Sequence, residues 1–359
     1  MVGKKGDITT NPKEVDAIVK RAWKLIYDGV GQNIAKAIDN FFEKFASSMY
    51  HGPEYLLSDL DADTVYNSFR TTAKSAGALD GWQPRELALL SRRICGHIAN
   101  MLNQIEKGSP WPTSTRHARV VFLEKVGAAL GEVMSYRPLT ITSPLYRAWG
   151  SMRLRHMEEW VDSWKLPQMY AGVPEMGAVD AWHTVLTRLE ELKLSGTPFC
   201  GGVADIANIF DQIRRKVVYT IARYAGMPSR ILNPYSTFLE NLLLYNCLAG
   251  GVGAPHQRKC GIPQGCPFSM MMVGLIMRPW IILMETCMVS CYILADDVLV
   301  LAHGDTMFDR FANGLNNTHK YLQAMGARVA PDKSFNFASN KTTTTWLQTY
   351  LVGASTTRY

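Results

Sequence analysis

The sequence has few cysteines for its length, and they follow no zinc-binding or disulfide spacing. Seven cysteines are scattered over 359 residues, an odd number. None of them forms the paired spacing that a structural zinc site requires. We therefore expect reduced intracellular thiols packed in apolar segments rather than a disulfide framework.

The sequence also lacks an uninterrupted apolar run long enough to cross a membrane. Its most apolar stretch, residues 270–302, is broken by Arg278, Pro279, Glu285 and the acidic pair Asp296 and Asp297. No clean span of ~20 apolar residues is left. The first residues carry lysines and polar side chains instead of the apolar core of a secretory signal. These features predict an intracellular protein with no membrane partner.

What the sequence does have is a large apolar fraction and a surplus of positive charge. Hydrophobic residues make up 47% of the chain and its formal net charge is +7. This length and composition can form one large or two ordinary domains. A basic surplus favours a polyanionic partner, because each neutralised phosphate releases counterions. Local basic clusters lie at 116–119, 214–216 and 258–259.

Three aspartates lie where two different elements are expected to end. Asp205 follows a short apolar run and precedes a helical pattern, whereas Asp296 and Asp297 join two β-prone runs. The second arrangement predicts a hairpin with its carboxylates at the turn. Converging strand ends would let the three carboxylates hold two magnesium ions, which could activate a 3′-oxygen and stabilise a leaving pyrophosphate. An isolated Asp-Asp pair is more often a solvated turn, so this interpretation depends on neighbouring motifs.

A glycine- and proline-rich loop lies between the two acidic elements. In residues 260–269, Gly261 and Gly265 permit a tight turn and close approach of a ligand to the backbone. Gln264 offers both a donor and an acceptor, which suits a base edge or a sugar. Such a loop alone is usually an ordinary connection. Its position between the carboxylate elements makes it a candidate part of the same site.

The order of these motifs resembles the A, B and C motifs of reverse transcriptases. The matching segments are DIANIFD at 205–211, GIPQGCPFS at 261–269 and LADD at 294–297. The sequence is most similar to the enzymes of non-LTR retrotransposons and group II introns. Further collinear matches lie at 79–82, 122–125 with 136–139, 168–172, 326–333 and, weakly, 350–353. The resemblance covers about residues 75 to 353.

The resemblance implies an α+β right-hand polymerase fold. It implies fingers and a palm, with an antiparallel palm sheet backed by helices and with the thumb largely absent from this chain. The implied division is a helical N-terminal extension at 1–70, fingers and the start of the palm at 71–198, the palm with motifs A to E at 199–353 and a truncated tail at 354–359. The sequence pattern predicts a strand at 199–206, a hairpin at 288–302, a helix at 229–247 and strands at 326–338 and 345–353.

The resemblance also implies catalytic roles for four residues. Asp205 and Asp296 match the direct metal ligands, and Asp297 matches the adjacent acidic residue of the same metal site. Lys333 matches a lysine proposed to protonate the leaving pyrophosphate. The implied cofactor is a pair of Mg²⁺ ions, for which Mn²⁺ can substitute.

Five further residues match positions that contact the substrate. Lys125 and Arg137 match the residues that bind the incoming triphosphate, where lysine supplies a point charge and arginine a bidentate fork. Gln264 and Gly265 match the loop that lines the nucleotide and template pocket. Phe210 lies five positions after Asp205 and matches an aromatic steric gate that excludes a 2′-hydroxyl.

The implied activity is RNA-directed DNA polymerisation on an RNA template and a DNA primer, with dNTPs as substrates. A partner or a further segment would supply the thumb, and a eukaryotic retroelement would place the protein in the nucleus. Two alternatives stay open. The chain could be a catalytically inactive scaffold that binds nucleic acid, or, more distantly, an RNA-dependent RNA polymerase.

Overall fold

The computed structural model describes residues 8–29, 34–125, 127, 129, 131–248 and 250–354, with the backbone alone for 34 and 351–354. The predicted tail beyond residue 354 and the start of the predicted N-terminal extension lie outside the described residues. In the described part the helices are α1 (Pro12–Tyr27), α2 (Ile34–Phe45), α3 (Ala62–Thr71), α4 (Pro84–Leu87), α5 (Arg92–Glu106), α6 (Pro144–His156), α7 (Glu158–Trp164), α8 (Ala178–Leu194), α9 (Ile209–Gln212), α10 (Arg215–Tyr224), α11 (Ser229–Glu240), α12 (Ser269–Thr286), α13 (Met307–Met325) and α14 (Lys341–Ala354). The strands are β1 (His117–Glu124), β2 (Tyr136–Ile141), β3 (Phe199–Asp205), β4 (Leu243–Leu248), β5 (Gly251–Val252), β6 (Ser290–Leu294), β7 (Asp297–His303) and β8 (Phe335–Ala338).

The chain forms two compact units, and each unit combines segments that are distant in sequence. Unit 1 consists of Met1–Val30, Pro53–Glu159 and Gly226–Ser269. Unit 2 consists of Gly31–Gly52, Trp160–Ala225 and Met270–Tyr359. Motifs A and C and the segment 326–333 therefore belong to unit 2, whereas the motif B loop belongs to unit 1. Fingers and palm stay predicted names for parts of these units.

Unit 1 contains a mixed sheet in the order β2-β1-β4-β5. Strand β1 runs antiparallel to β2 and parallel to β4. Helix α1 begins at Pro12, where the Asn11 side chain accepts a hydrogen bond from the backbone of Lys13. This is the usual N-cap arrangement, with proline in the first turn. Buried residues then recur every four positions along α1, at Val15, Val19, Trp23 and Tyr27, and pack with Val133.

A buried ion cluster and an aromatic cluster stabilise the rest of unit 1. Glu106 lies at the end of α5, and its carboxylate accepts two hydrogen bonds of 2.6 Å from Arg153. Trp149 and Arg230 donate to the same carboxylate at 2.8 Å. The ring of Tyr146 stacks on Phe238 with centroids 3.6 Å apart. Because Glu106 and Arg153 are fully buried, this pairing fixes α5 against α6.

Unit 2 contains an antiparallel sheet in the order β6-β7-β3-β8. The predicted hairpin at 288–302 is confirmed, since β6 and β7 pair with Leu294 opposite Asp297. Strand β3 lies between β7 and β8, and its two central glycines allow close packing. A Cβ atom at Gly201 would overlap the ring of Phe337, and one at Gly202 would lie 2.5 Å from the Asn336 side chain.

Helices α12 and α13 pack together in unit 2, and α13 covers one face of its sheet. Gly314 of α13 packs against Val289 and Val300, where an added Cβ would lie 3.3 Å from each side chain. The indole of Trp280 donates to the Thr318 hydroxyl at 2.9 Å and joins the two helices. The prediction of an antiparallel sheet backed by helices is therefore confirmed for unit 2.

One predicted helix is too long, and one predicted strand is wrong in type. The predicted helix at 229–247 ends at Glu240, and residues 243–248 form β4 instead. The predicted strand at 345–353 is part of helix α14. Asn340 caps this helix by accepting a hydrogen bond from the backbone of Thr343 at 2.9 Å. Trp346 stacks on Phe308 of α13, so tertiary packing outweighs the β propensity of the threonine run.

Helix α12 is long and apolar enough to cross a membrane by length and composition, with a mean hydropathy of 1.2. However, 67% of it is buried inside the protein. Trp280 and Ile281 are fully buried. This burial is typical of the core helix of a folded unit.

Candidate active site

The three predicted aspartates lie at one edge of the unit 2 sheet. Asp205 is the last residue of β3, and Asp297 is the first residue of the neighbouring strand β7. The two are cross-strand partners in the antiparallel register, which places their side chains on the same face of the sheet. Asp296 precedes Asp297 in the turn between β6 and β7.

The turn that carries Asp296 is tight and has an unusual backbone. Only Ala295 and Asp296 separate the paired residues Leu294 and Asp297. Ala295 has a φ of 58°, a left-handed conformation that costs a residue with a Cβ atom about 1 kcal/mol. The backbone of Ile206 donates to the Asp296 carbonyl at 2.7 Å. This bond fixes the turn to the chain just beyond Asp205.

The electrostatic environment of Asp297 reflects this crowding of negative charge. Partial burial raises the pKa of the Asp297 carboxyl, and the charges of Asp296 and Asp205 raise this pKa further. The nearby ammonium of Lys333 acts in the opposite direction. The carboxylates are therefore close enough to repel each other, and a cation among them would be stabilised.

Lys333 provides one such cation. Its Nζ lies 3.0 Å from Oδ2 of Asp205. Lys333 ends a short 3₁₀ turn at Pro331–Lys333. The residues just before this turn are hydrogen-bonded to the end of β3 and to the residues that follow β3. Ala330 donates its backbone N–H to the Asp205 carbonyl at 2.8 Å. These bonds hold the lysine backbone beside the carboxylate.

Ser334 is a site residue that the sequence pattern did not indicate. Its hydroxyl accepts a hydrogen bond from the backbone N–H of Asp205 at 3.2 Å and donates to the Ala330 carbonyl at 2.7 Å. The serine therefore fixes the backbone of the candidate metal ligand. In the sequence, the only indication of this role was the position of Ser334 directly after Lys333.

The carboxylates fit a magnesium ion whose remaining ligands come from a substrate. In the described part of the chain, no three Asp, Glu, His or Cys side chains converge as a metal site formed by protein alone. The sequence predicted that the three carboxylates converge, but in the structure they do not form one group of three metal ligands. Mg²⁺ is commonly bound through one or two carboxylates together with phosphates and water. Asp205 and Asp296, with Asp297 beside them at the same edge of the sheet, can supply such ligands.

The predicted gate residue Phe210 is only partly buried. It lies in the short helix α9, after Asn208, whose φ of 46° turns the chain at the end of motif A. Ile209 is fully buried and anchors the helix, whereas the Phe210 side chain is partly exposed. Phe210 is therefore not fully buried in the core.

An open cavity of about 370 Å³ borders Asp297 in unit 2. Its walls are mostly apolar and aromatic, and include Tyr170, Trp182, Val203, Tyr292, Leu299 and Phe335. Trp182 and Phe335 are 66% and 56% exposed. Aromatic surfaces of this kind can stack on nucleobases irrespective of sequence.

Lys125 and Arg137 lie in unit 1, on the hairpin formed by β1 and β2. Arg137 is exposed and pairs with Leu123 across the hairpin. Lys125 follows two positions after Leu123, so both cations share one face. The Lys125 ammonium donates to the Met134 carbonyl at 2.9 Å, and its backbone N–H donates to Ser135.

Gln264 and Gly265 also lie in unit 1, in a loop that is hydrogen-bonded to β2. The backbone carbonyl oxygen of Gln264 accepts a hydrogen bond from the backbone N–H of Thr140 at 2.9 Å. Gly265 has a φ of 110° and is exposed. An added Cβ atom at Gly265 would lie 2.6 Å from the Thr140 carbonyl, so glycine is required at this position.

These residues lie within a segment that matches a known family. The model of the family described as reverse transcriptase (RNA-dependent DNA polymerase) matches residues 124–350. The match begins at the β1–β2 hairpin and ends in helix α14, and it includes every predicted site residue. It covers more than half of the 359 residues, and the chain therefore belongs to the reverse transcriptase family.

Proposed function

We propose that this chain is an active RNA-directed DNA polymerase that transfers nucleotides from dNTPs onto a primer 3′-hydroxyl. The observation that carries the proposal is the pairing of Asp205 with Asp297 on adjacent strands, with Asp296 in the connecting turn. Membership in the reverse transcriptase family supports the reaction class. The order of the motifs supports a protein of the non-LTR retrotransposon or group II intron type.

Asp205 and Asp296 would hold the divalent ions, and Asp297 would shape the site beside them. When bound, two Mg²⁺ ions supply activation of the primer hydroxyl and neutralisation of the charge on the leaving pyrophosphate. The protein contributes a rigid position for these carboxylates. The hydrogen bonds of Ile206 with Asp296 and of Ser334 with Asp205 limit their movement.

The remaining site residues are assigned to the nucleotide. Lys125 and Arg137 are assigned to the triphosphate, and Gln264 and Gly265 to the base and sugar. Phe210 is assigned to the exclusion of a 2′-hydroxyl, because its partly exposed ring can contact a sugar. The template–primer duplex would be bound mainly through its phosphates and its A-like shape.

Primer extension with four substrate combinations tests the proposal. A DNA primer is annealed to an RNA or a DNA template and supplied with dNTPs or NTPs in the presence of Mg²⁺. We expect extension on the RNA template with dNTPs and little extension with NTPs. The variant D205N should abolish extension, whereas D305N, which alters an exposed aspartate at the opposite end of β7, should not.

The alternatives predict different results. Efficient use of NTPs on RNA would indicate an RNA-dependent RNA polymerase. Retained duplex binding without any extension, measured by fluorescence anisotropy of a labelled primer, would indicate a nucleic-acid-binding scaffold. Either outcome would overturn the proposal.

A further inference from the structure

We infer that Lys333 is a resident cation of the carboxylate site and that it leaves Asp205 when a divalent metal ion binds. This inference concerns the regulation of the proposed active site and therefore rests on the proposed function. It assigns Lys333 a role before the chemical step, in addition to the role in proton transfer that the family resemblance implies.

The contact geometry supports an exchange of cations at Asp205. The Lys333 ammonium lies 3.0 Å from Asp205 Oδ2, in direct contact with an oxygen that a metal ion would need. Carboxylate oxygens bind Mg²⁺ at about 2.1 Å, which is closer than the Lys333 ammonium lies to this oxygen. A divalent ion and an ammonium held at one oxygen repel each other, and this repulsion favours loss of the ammonium. Metal binding through Oδ2 would therefore displace Lys333 from Asp205.

The exposure of the two partners shows which one moves. The Asp205 side chain is only 14% exposed, whereas the Lys333 side chain is 61% exposed. Ion pairs with one solvated partner are weak, because water and salt compete for the charge. The flexible lysine side chain can therefore turn into solvent while the carboxylate stays in place.

The backbone on both sides of the contact is fixed. Ala330 donates to the Asp205 carbonyl at 2.8 Å, and Ser334 bonds both Asp205 and Ala330. Val329 forms an isolated antiparallel bridge with Ile206. The exchange thus involves the side chain of Lys333 alone and needs no movement of the strand.

The surrounding charge explains why a resident cation is useful. The charges of Asp205 and Asp296 act on Asp297, where the Lys333 charge opposes them, and Lys333 also contacts Asp205 directly. Without metal, the ammonium stabilises this edge of the sheet. After metal binding, the released ammonium stays tethered beside the site, where it is available to the leaving pyrophosphate.

Manganese binding to the full chain tests the inference without any polymerase reaction. Free Mn²⁺ is measured by electron paramagnetic resonance during titration of the wild type, K333M and K341M in the absence of nucleotide. Removal of the competing ammonium should tighten binding by about two- to fivefold in K333M, as expected for loss of a weak ion pair. K341M removes the same charge at the other end of β8, and it should bind like the wild type.

A charge-retaining variant and a ligand variant complete the test. K333R should bind Mn²⁺ about as weakly as the wild type, because a cation is still present. D205N should remove the tightening caused by K333M in the double variant. Equal affinity of K333M and the wild type would overturn the exchange alone, provided that D205N weakens binding. Unchanged binding in D205N would overturn both the exchange and the proposed metal site.

Thermal unfolding provides a second measurement of metal binding if K333M is less stable than the wild type. In the presence of a chelator, K333M should unfold at a lower temperature than the wild type, because the carboxylates have lost their counter-ion. Saturating Mn²⁺ should raise the unfolding temperature of K333M more than that of the wild type. An equal rise in both proteins would contradict the exchange.

Discussion

At the scale of single residues, the chemistry is concentrated at one edge of the unit 2 sheet. The aspartates at 205, 296 and 297 were predictable, because short acidic motifs followed strand patterns. The contacts of Lys333 and Ser334 with Asp205 were not predictable, since they join residues 128 and 129 positions apart. Local sequence does not determine which distant side chain approaches a carboxylate. The tertiary fold decides this contact.

Replacement of Phe210 tests sugar selection. In F210A the partly exposed ring is removed, and a 2′-hydroxyl gains space beside the sugar. We expect the preference for dNTPs over NTPs to fall by about tenfold or more, as for other steric pocket changes. The measurement is the ratio of kcat/KM values for one dNTP and the matching NTP.

A matched control separates sugar selection from a general loss of aromatic packing. Phe308 is also partly exposed, but it packs on Trp346 with ring centroids 4.4 Å apart. F308A should lower stability and leave the dNTP preference unchanged. An equal loss of preference in both variants would refute the gate assignment.

The raised pKa of Asp297 predicts a pH-dependent effect on stability. Its carboxyl ionises at a higher pH in the folded chain than the ordinary value of 3.8. The unfolded chain loses this proton first, so the contribution of Asp297 to stability falls as pH rises from 3.8 through the raised pKa. In metal-free buffer at neutral pH, D297N should therefore be more stable than the wild type.

Urea unfolding with a chelator measures this difference at two pH values. The advantage of D297N should shrink as the pH is lowered and should vanish below the ordinary carboxyl pKa, where the carboxyl is protonated in both the folded and the unfolded chain. D305N, which changes an exposed aspartate, serves as the control. A D297N protein that is less stable than the wild type at neutral pH would show that the Asp297 charge stabilises the fold.

At the scale of elements, the sequence correctly predicted the strand and the hairpin that the local pattern of residues determines. Strand β3 and the β6–β7 hairpin matched their predicted positions within a few residues. Helix α14 did not match, because Trp346 and its neighbours pack on α13 in a helical spacing. The threonine run favoured a strand, and contacts from another element outweighed that preference.

The motif B loop provides a prediction at this scale. In G265A, the new Cβ atom would lie 2.6 Å from the Thr140 carbonyl, and Gly265 already has a φ of 110°. We expect a loss of several kcal/mol in the free energy of unfolding, because backbone strain and overlap add together. Urea denaturation with circular dichroism measures the effect.

Gly108 is a close control, since it has the same φ of 110° and no atom within 4 Å of an added Cβ. G108A should therefore cost only the backbone strain, about 1 kcal/mol. Similar losses in G108A and G265A would show that the contact with Thr140 is unimportant.

At the scale of the whole molecule, the chain builds two units from interleaved segments. The sequence predicted consecutive domains, whereas the structure assigns 53–159 and 226–269 to one unit and 160–225 to the other. A Gly-Pro pair marks the boundary between residues 52 and 53, whereas the boundary after Glu159 lies inside helix α7, where the sequence carries no break signal. The stability of each unit depends on long-range contacts such as the buried Glu106 cluster.

Replacement of Glu106 tests how strongly unit 1 depends on that cluster. In E106Q the buried guanidinium of Arg153 loses its counter-ion, and Arg230 loses one of its two carboxylate partners. We expect a loss of about 3–5 kcal/mol in the free energy of unfolding. The exposed pair of Asp63 with Arg92 is the control, and D63N should cost about 1 kcal/mol or less. Equal costs would contradict a structural role for the buried cluster.

Single-turnover incorporation of one dNTP tests the central claim most directly. Wild type, D296A and D305A are mixed with a DNA primer on an RNA template, and the rate of one-nucleotide extension is measured by rapid quench. If Asp296 helps to hold the catalytic ions, D296A should slow this step by at least about a thousandfold while D305A matches the wild type. A D296A rate within about tenfold of the wild type would contradict the assignment of the active site.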